Sequence, residues 1–277
     1  MLIDFHTHIF PDPIAARTIE GLIAGVRSIQ GTGYVTSRTM NFTDGTMNGL
    51  LRSMDENGVD MSICLPIATK QSQTASINRF AETVRTKRLL SFGTLHPLQP
   101  DWEQVLEDLA ARGFQGIKLH HQFQQVSVDA KESVRIVKKA QELGLLVVFH
   151  AGIDIGLPPP NFASPEKIRN LLNEVDGSNL IAAHLGGWKQ WDDVERCLVG
   201  TNILFDTAFI KDFIAPEQCR RIIQNHGAAK ILFATDSPWE AAADTLSFLQ
   251  TLGLSDDEMA RICYQNAMDL LRIEAQA

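Results

Sequence analysis

The sequence predicts an α/β protein of the (β/α)8 TIM-barrel class, folded as one domain with a long excursion after its first strand. Three observations predict it. Eight short apolar runs recur along 277 residues, with helical segments between them. The runs are continuous rather than alternating in polarity, as parallel strands covered on both faces must be. Eight strand–helix repeats in about 250 residues is also the length such a barrel needs. An open doubly wound sheet is the alternative, but the first turn lacks a G-x-G-x-x-G phosphate loop. No Pro/Gly linker or charge block divides the chain, so residues 1–277 are read as a single domain.

The runs, in order, are "LIDFHTH" (2–8), "MSICLPIA" (61–68), "LLSFGTLHP" (89–97), "GIKLHH" (116–121), "LLVVFHAG" (145–152), "NLIAAHLGG" (179–187), "NILFDTA" (202–208) and "KILFATDSPW" (230–239). The segments between them carry helix ends. "DWEQVLEDLAARG" puts Trp102, Val105, Leu106 and Leu109 on one face and stops at Gly113. "SPEKIRNLLNEV" opens with Ser164 as N-cap and Pro165 at the first helical position. In "SDDEMARICYQNAMDLL", Ser255 and Glu258 have the spacing of a capping box. About fifty residues separate the first two runs, an outsized connection for this fold. Within it "PIAARTIEGLIAGV" reads as an extra helix and "QGTGYVTSRTMNFTDG" as an irregular loop. Residues 10–45 are therefore expected to form a lid or rim over the C-terminal mouth of the barrel.

Composition narrows the partners. A hydrophobic share of 44%, a charged share of 21% and a net charge of −8 describe an ordinary globular chain without the basic footprint of a nucleic-acid or anionic-membrane binder. A small-molecule substrate is the expected partner, and assembly into a homo-oligomer stays open. The N-terminus lacks a secretory pattern, and no apolar run reaches membrane-spanning length. Cys64, Cys197, Cys219 and Cys263 form no C-x-x-C pair and read as buried reduced thiols. The expected location is the cytoplasm.

The functional signal is positional. His6, His8, His150, His184 and Asp236 all fall at the C-terminal ends of runs one, five, six and eight, where barrel strands present active-site residues. Two-residue periodicity puts His6 and His8 on one face, with Phe5 and Thr7 on the other. H-x-H alone is weak evidence, and Asp236 alone could cap the turn before Pro238. Five such residues at one end of the same pattern argue for a metal site. Imidazoles plus a carboxylate suit Zn²⁺, with Mn²⁺, Fe²⁺ and Co²⁺ as alternatives. Such an ion with an open position acidifies a bound water to a pKa of about 7.

These motifs carry a resemblance. The H-x-H ending the first run, "VFHAG", "AAHLGG", "FATDSPW" and "YQNAMDLL" resemble the amidohydrolase superfamily. Within it they resemble the branch that includes the aminocarboxymuconate-semialdehyde decarboxylase-like enzymes. The likeness runs from Leu2 to about Leu271. It implies a metal-dependent barrel with ligands at His6, His8, His150 and Asp236, and a catalytic acid/base at His184. Asp236 has a second carboxylate oxygen with which to take a proton. Binuclear members of the superfamily bridge two ions through a carbamylated lysine of the fourth strand, where Lys118 lies. The branch implies one ion and no bridging lysine instead, which leaves Lys118 or His120 to face substrate; a second ion that recruits His184 is the alternative.

Arg38 could clamp a substrate carboxylate, while Phe10, Trp188 and Trp239 could wall the pocket. His96 is expected near the rim, His121 as structural and His226 as a helix C-terminal residue. The expected activity is hydrolysis of a small carboxylated lactone, ester or amide by metal-activated water. Non-oxidative decarboxylation of a small aromatic or muconate-like acid is the alternative. A catalytically silent barrel that only binds is a third reading, though no expected ligand is missing.

Overall fold

The computed structural model describes residues 1–273, so the last four residues of the expected domain lie outside the described residues. Each of the eight apolar runs contains a strand, and all pair in parallel. They are β1 (Ile3–Thr7), β2 (Met61–Cys64), β3 (Leu89–Ser91) with β4 (Gly93–Thr94), β5 (Gly116–Leu119), β6 (Leu146–Phe149), β7 (Leu180–Ala182), β8 (Leu204–Asp206) and β9 (Ile231–Leu232). β3 and β4 are two halves of one run interrupted at Phe92. The hydrogen-bonded order is β1-β2-β3 and then β4 through β9. The last run closes back onto the first through Thr7 paired with Ser237, Phe5 N–H donating to Phe233 O (2.9 Å) and Asp236 N–H donating to His6 O (2.8 Å). The fold is a closed (β/α)8 barrel.

Among the described residues, thirteen α-helices lie between and after the strands. The excursion after β1 holds α1 (Asp12–Gln30), α2 (Thr32–Thr36) and α3 (Met47–Asn57). The stretch read from sequence as irregular thus contains a short helix, α2. Gly31, with φ of 89°, ends α1, and the chain re-enters a helical turn that buries Val35. α3 starts at Thr46, whose hydroxyl accepts from Gly49 N–H, and stops at Gly58 in the left-handed region. Next come α4 (Thr74–Thr83), α5 (Trp102–Ala111), α6 (His121–Gln124) and α7 (Lys131–Glu142). They are followed by α8 (Pro165–Leu172), α9 (Trp191–Cys197), α10 (Pro216–His226), α11 (Ala242–Thr251), α12 (Asp256–Ala260) and α13 (Asn266–Leu271). Ser164 caps α8, and the Ser255–Glu258 capping box forms at α12. Leu106 and Leu109 of α5 are fully buried, with Trp102 and Val105 packed beside the core.

Two apolar layers hold the barrel. Inside lie Ile3, Phe5, Ile63, Phe92, Val148 and Ile181. Between strands and helices lie Leu106, Ile117, Phe149, Ile168, Phe205 and Ile222, among others. Burying a side chain of this kind contributes about 1.5–3 kcal/mol, and the inner set leaves the barrel packed rather than hollow. Strict alternation along β1 fails at one point. Its register on β2 slips between Asp4 and Thr7, so Phe5 joins the inner cluster while His6 also turns inward to Asp206. Irregularities of this kind re-aim side chains beside active sites, and here the slip replaces the expected opposition of Phe5 and His6.

All four cysteines are free thiols; Cys64, Cys219 and Cys263 are buried and Cys197 is half-buried. No helix among the described residues is long and apolar enough to cross a membrane.

Candidate metal centre

The strands end in a cavity of about 930 Å³ at the C-terminal mouth of the barrel. At its base, three side chains meet. His6 Nε2 lies 3.1 Å from His8 Nε2 and 3.3 Å from Asp236 Oδ1, and His8 Nε2 lies 3.0 Å from the same oxygen. Donors bound at about 2.0–2.2 Å to one ion stand at such separations from each other.

The hydrogen bonds behind the rings decide what these atoms are. His6 Nδ1–H donates to Asp206 Oδ2 (2.8 Å), and His8 Nδ1–H donates to Leu65 O (2.8 Å). Each Nε2 therefore presents a lone pair, the form in which imidazole binds metals. Burial holds His6 well below its usual proton affinity, and Lys118 adds to that. Burial alone would raise the Asp236 carboxyl, but the facing imidazoles of His6 and His8 outweigh it and hold a carboxylate. Two lone pairs and a carboxylate oxygen converge, a donor set that fits a divalent cation.

A second chain of bonds runs beside the first. His184 Nδ1–H donates to Ala208 O (2.9 Å), so its Nε2 accepts from His150 Nδ1–H at 3.0 Å. That leaves His150 Nε2 as a bare lone pair, buried and without a protein partner. Burial, then His120 and His184, keep the His150 imidazole neutral. An orphaned buried acceptor of this kind calls for a ligand.

The structure thus brings His6, His8 and Asp236 into one group, and it joins His150 to them through His184, whose ring centre is 5.6 Å from that of His6. His150 also forms a group with His120 and Asp154. The His120 and His150 rings stack at 4.4 Å with only 14° between their planes. His120 Nδ1 accepts from Phe123 N–H, which leaves its Nε2–H directed at Asp154 Oδ2, 3.4 Å away. In this arrangement the His120–Asp154 pair shares a proton, and His120, His150 and Asp154 also offer three donors close enough together for an ion.

Lys118 is fully buried, and its Nζ lies 3.1 Å from His6 Nε2. Burial pulls its ammonium down to about 8, against the pull of Asp206 and Asp236. His120, Arg38, Phe10, Trp188 and Trp239 all line the cavity. Arg38, however, is already engaged: its guanidinium donates to Tyr34 Oη (3.0 Å) and faces Asp212 at 4.0 Å. His121 turns away, with its Nδ1 bonded to Val126 O (2.9 Å). His96 is buried in the turn after β4, where its Nδ1 accepts from Leu98 N–H (3.2 Å). It does not line the cavity.

Backbone strain marks the same place. His184 and Asp236 sit in the left-handed region, with φ of 60° and 64°, which costs non-glycine residues of the order of 1 kcal/mol each. Asp206 Oδ1 accepts the His184 N–H (2.8 Å), and His6 O accepts the Asp236 N–H (2.8 Å). Those bonds hold the strained conformations in place. Gly152 explains the glycine of "VFHAG": a Cβ there would lie 2.1 Å from Trp188 N. That close approach ties the His150 loop to the His184 loop.

Sequence reasoning passed over Asp206, Asp154 and the carbonyls of Leu65 and Ala208. Asp206 carried the same signal as the others, since it ends the seventh run. The carbonyls carried none, because any residue supplies one.

A parallel barrel with neutral imidazoles and a carboxylate gathered at its C-terminal mouth defines a class: metal-site barrel proteins of the enzyme type. Within that class the chain belongs to the amidohydrolase family, whose model matches residues 3–273. Solved structures agree in fold. A 5-carboxyvanillate decarboxylase from Novosphingobium aromaticivorans, with bound manganese and 3-methoxy-4-hydroxy-5-nitrobenzoic acid, is similar at 14% identity, 99% of this chain and 97% of that one, with a TM-score of 0.71. A 2,6-dihydroxybenzoate decarboxylase from Rhizobium is similar at 17% identity, 99% coverage of both chains and a TM-score of 0.66. A probable 2-pyrone-4,6-dicarboxylic acid hydrolase from Acinetobacter baumannii is similar at 15% identity, 98% and 99% coverage and a TM-score of 0.64. No curated protein matches the sequence.

Proposed function

We propose that the protein is a metal-dependent hydrolase of a lactone, ester or amide, with one ion held by His6, His8, Asp236 and His150. The observation that carries this reading is the protonation pattern at the base of the cavity. His6, His150 and Asp236 present electron pairs there, not protons. Those electron pairs would hold the ion, and the second oxygen of Asp236 is left to take the proton that hydrolysis removes from water. When bound, the ion polarises the carbonyl and lowers the pKa of water; Zn²⁺, Mn²⁺, Fe²⁺ and Co²⁺ all suit the donors.

The remaining roles belong to the chain. Asp236 takes a proton on its carboxylate. His184 passes one through the Nε2 that now accepts from His150. Lys118, cationic below its pKa of about 8, sits where it can neutralise an acid group next to the reacting carbonyl. The proton-holding form of the His120–Asp154 pair supports one ion rather than two. Free, mostly buried thiols fit a reducing compartment.

Decarboxylation is the second reading. It draws on the likeness to the solved decarboxylases and on Lys118, a proton donor 3.1 Å from His6 Nε2. The test is product analysis on the metal-reconstituted protein with lactones, esters, amides, and aromatic and muconate-like acids. Released acid without CO2 is the expected outcome, and CO2 in step with substrate loss would replace the first reading by the second. Protein that binds no transition metal and turns over nothing would leave only a binding barrel.

A further inference from the structure

The cavity is much larger than the metal group at its base requires. At about 930 Å³ it lies near the top of the range of about 300–1,000 Å³ that holds drug-sized ligands. Its walls away from His6, His8 and Asp236 are mostly apolar, with Leu22, Ile67, Phe80, Ile153 and Leu157 among them. Six large hydrophobic side chains are exposed among the described residues, and three of them, Ile14, Phe42 and Ile153, line this cavity. Apolar exposure gathered at one concave site marks a place for a ligand.

Helix α1 supplies one wall through Ile14, Thr18, Gly21, Leu22 and Gly25, a spacing that forms a single stripe on a helix. Gly21 is the informative member. Glycine inside a helix is disfavoured against alanine, yet a Cβ at Gly21 would meet nothing within 4 Å. Gly21 is exposed at the cavity, so a larger side chain can be placed there without a clash inside the protein.

The charges in the cavity are placed at one end or already partnered. Lys118 lies at the metal group. Arg38 faces Asp212 at 4.0 Å, and Lys211 lies 3.5 Å from Asp212 and 3.8 Å from Asp244. Asp154 is held by His120, and the buried Glu240 carboxyl accepts from Thr245 Oγ1 (3.0 Å). Among the described residues that line the cavity, each cation outside the metal group already faces a carboxylate of the chain.

We infer that the substrate has one polar head, carrying the reacting carbonyl and any acid group beside it, and a long uncharged apolar arm. The arm lies along the α1 stripe and the 153–157 loop. This inference rests on the hydrolase reading for the chemistry of the head, and on the cavity alone for the arm.

The test reads binding, not turnover. Purified protein is titrated calorimetrically with 4-alkylbenzoates from methyl to octyl, and with the same arms ending in a second carboxylate. Kd falls about three- to fourfold per added methylene until the cavity is filled, and the terminal carboxylate cancels the gain. Gly21→Phe and Ile153→Asp cost the octyl compound at least tenfold more than benzoate, whereas Gly21→Ala keeps the series and controls for folding. A Kd that ignores arm length, a diacid that binds tighter than its monoacid, or a Gly21→Phe series equal to the wild type overturns the inference. A flat series beside clean hydrolysis of one-ring esters sinks the arm alone. A steep series without turnover of any ester, lactone or amide sinks the hydrolase reading alone.

Discussion

Asp206 Oδ2 accepts the Nδ1–H of His6 at 2.8 Å, and both side chains are buried. Burial pushes the Asp206 carboxyl above its usual range, but the N–H groups of His184 and Ala208 also point at its other oxygen. Three donors satisfy a carboxylate. That carboxylate keeps the His6 proton on Nδ1 and aims the Nε2 lone pair at Asp236. Replacing it with Asn offers an amide that can supply an N–H where an acceptor is needed. Asp206→Asn is expected to weaken metal affinity by about 10–100-fold, read by competition with a chromogenic chelator. Unchanged affinity would show that His6 keeps its tautomer without this partner.

In the proposed mechanism His184 serves catalysis rather than metal binding. Its Nδ1–H is committed to Ala208 O and its Nε2 to His150. His184→Asn is expected to lower kcat by about 10²–10⁴-fold, with metal content close to that of the wild type. Elemental analysis of the purified variant, run beside the assay, decides the matter. Metal lost in proportion to activity would make His184 a ligand.

Glu240 gives the fold a pH dependence on the alkaline side. Burial raises its carboxyl to about 8, against an ordinary value of 4.5. The folded chain therefore holds a proton that the unfolded chain releases. Stability from this group is complete below pH 4.5 and is lost as pH rises through 8. Glu240→Gln keeps the neutral form at every pH. The variant is expected to match the wild type at pH 4.5 and to exceed it at pH 9 by an amount on the order of 5 kcal/mol. Urea unfolding at the two pH values measures the difference; equal gaps at both would refute the assignment.

His226 acts in the opposite direction. It is more than the helix C-terminal residue expected from sequence, because it is buried and stacks on Phe205 at 4.1 Å. Its Nδ1 accepts from Gly200 N–H (3.2 Å) and its Nε2–H donates to Ile203 O (2.7 Å). Burial, with Lys230, pulls its imidazole down to about 4 from 6.5. The unfolded chain binds the proton more readily, so this stability is present above pH 6.5 and is lost as pH falls towards 4. His226→Asn is expected to lose on the order of 1–3 kcal/mol at pH 7 and less at pH 4.5. Thermal melts across that range would expose a constant loss, which would contradict the titration.

Much of this molecule was legible in its apolar runs. Parallel strands buried on both faces must be apolar throughout, so each of the eight appeared as a run. Helix ends were legible wherever a side chain does the capping, as at Ser164 and Ser255. The short helix α2 was not, since five residues of mixed polarity carry too little periodicity and only the burial of Val35 selects it. Arg38 looked available for a substrate because sequence cannot place Asp212 beside it.

The sequence by itself determined the barrel and the residues that reach its mouth, because burial and the strand period act locally and leave a mark at every position. Only the tertiary structure decided which nitrogen of each histidine is bare. That depends on acceptors far apart in the chain, Asp206 for His6, Leu65 O for His8, and for His150 the His184 ring that Ala208 O orients. The width and one-sided polarity of the cavity were decided there too. They arise where α1, the 153–157 loop and the strand ends meet, and closure of the barrel alone brings those segments together.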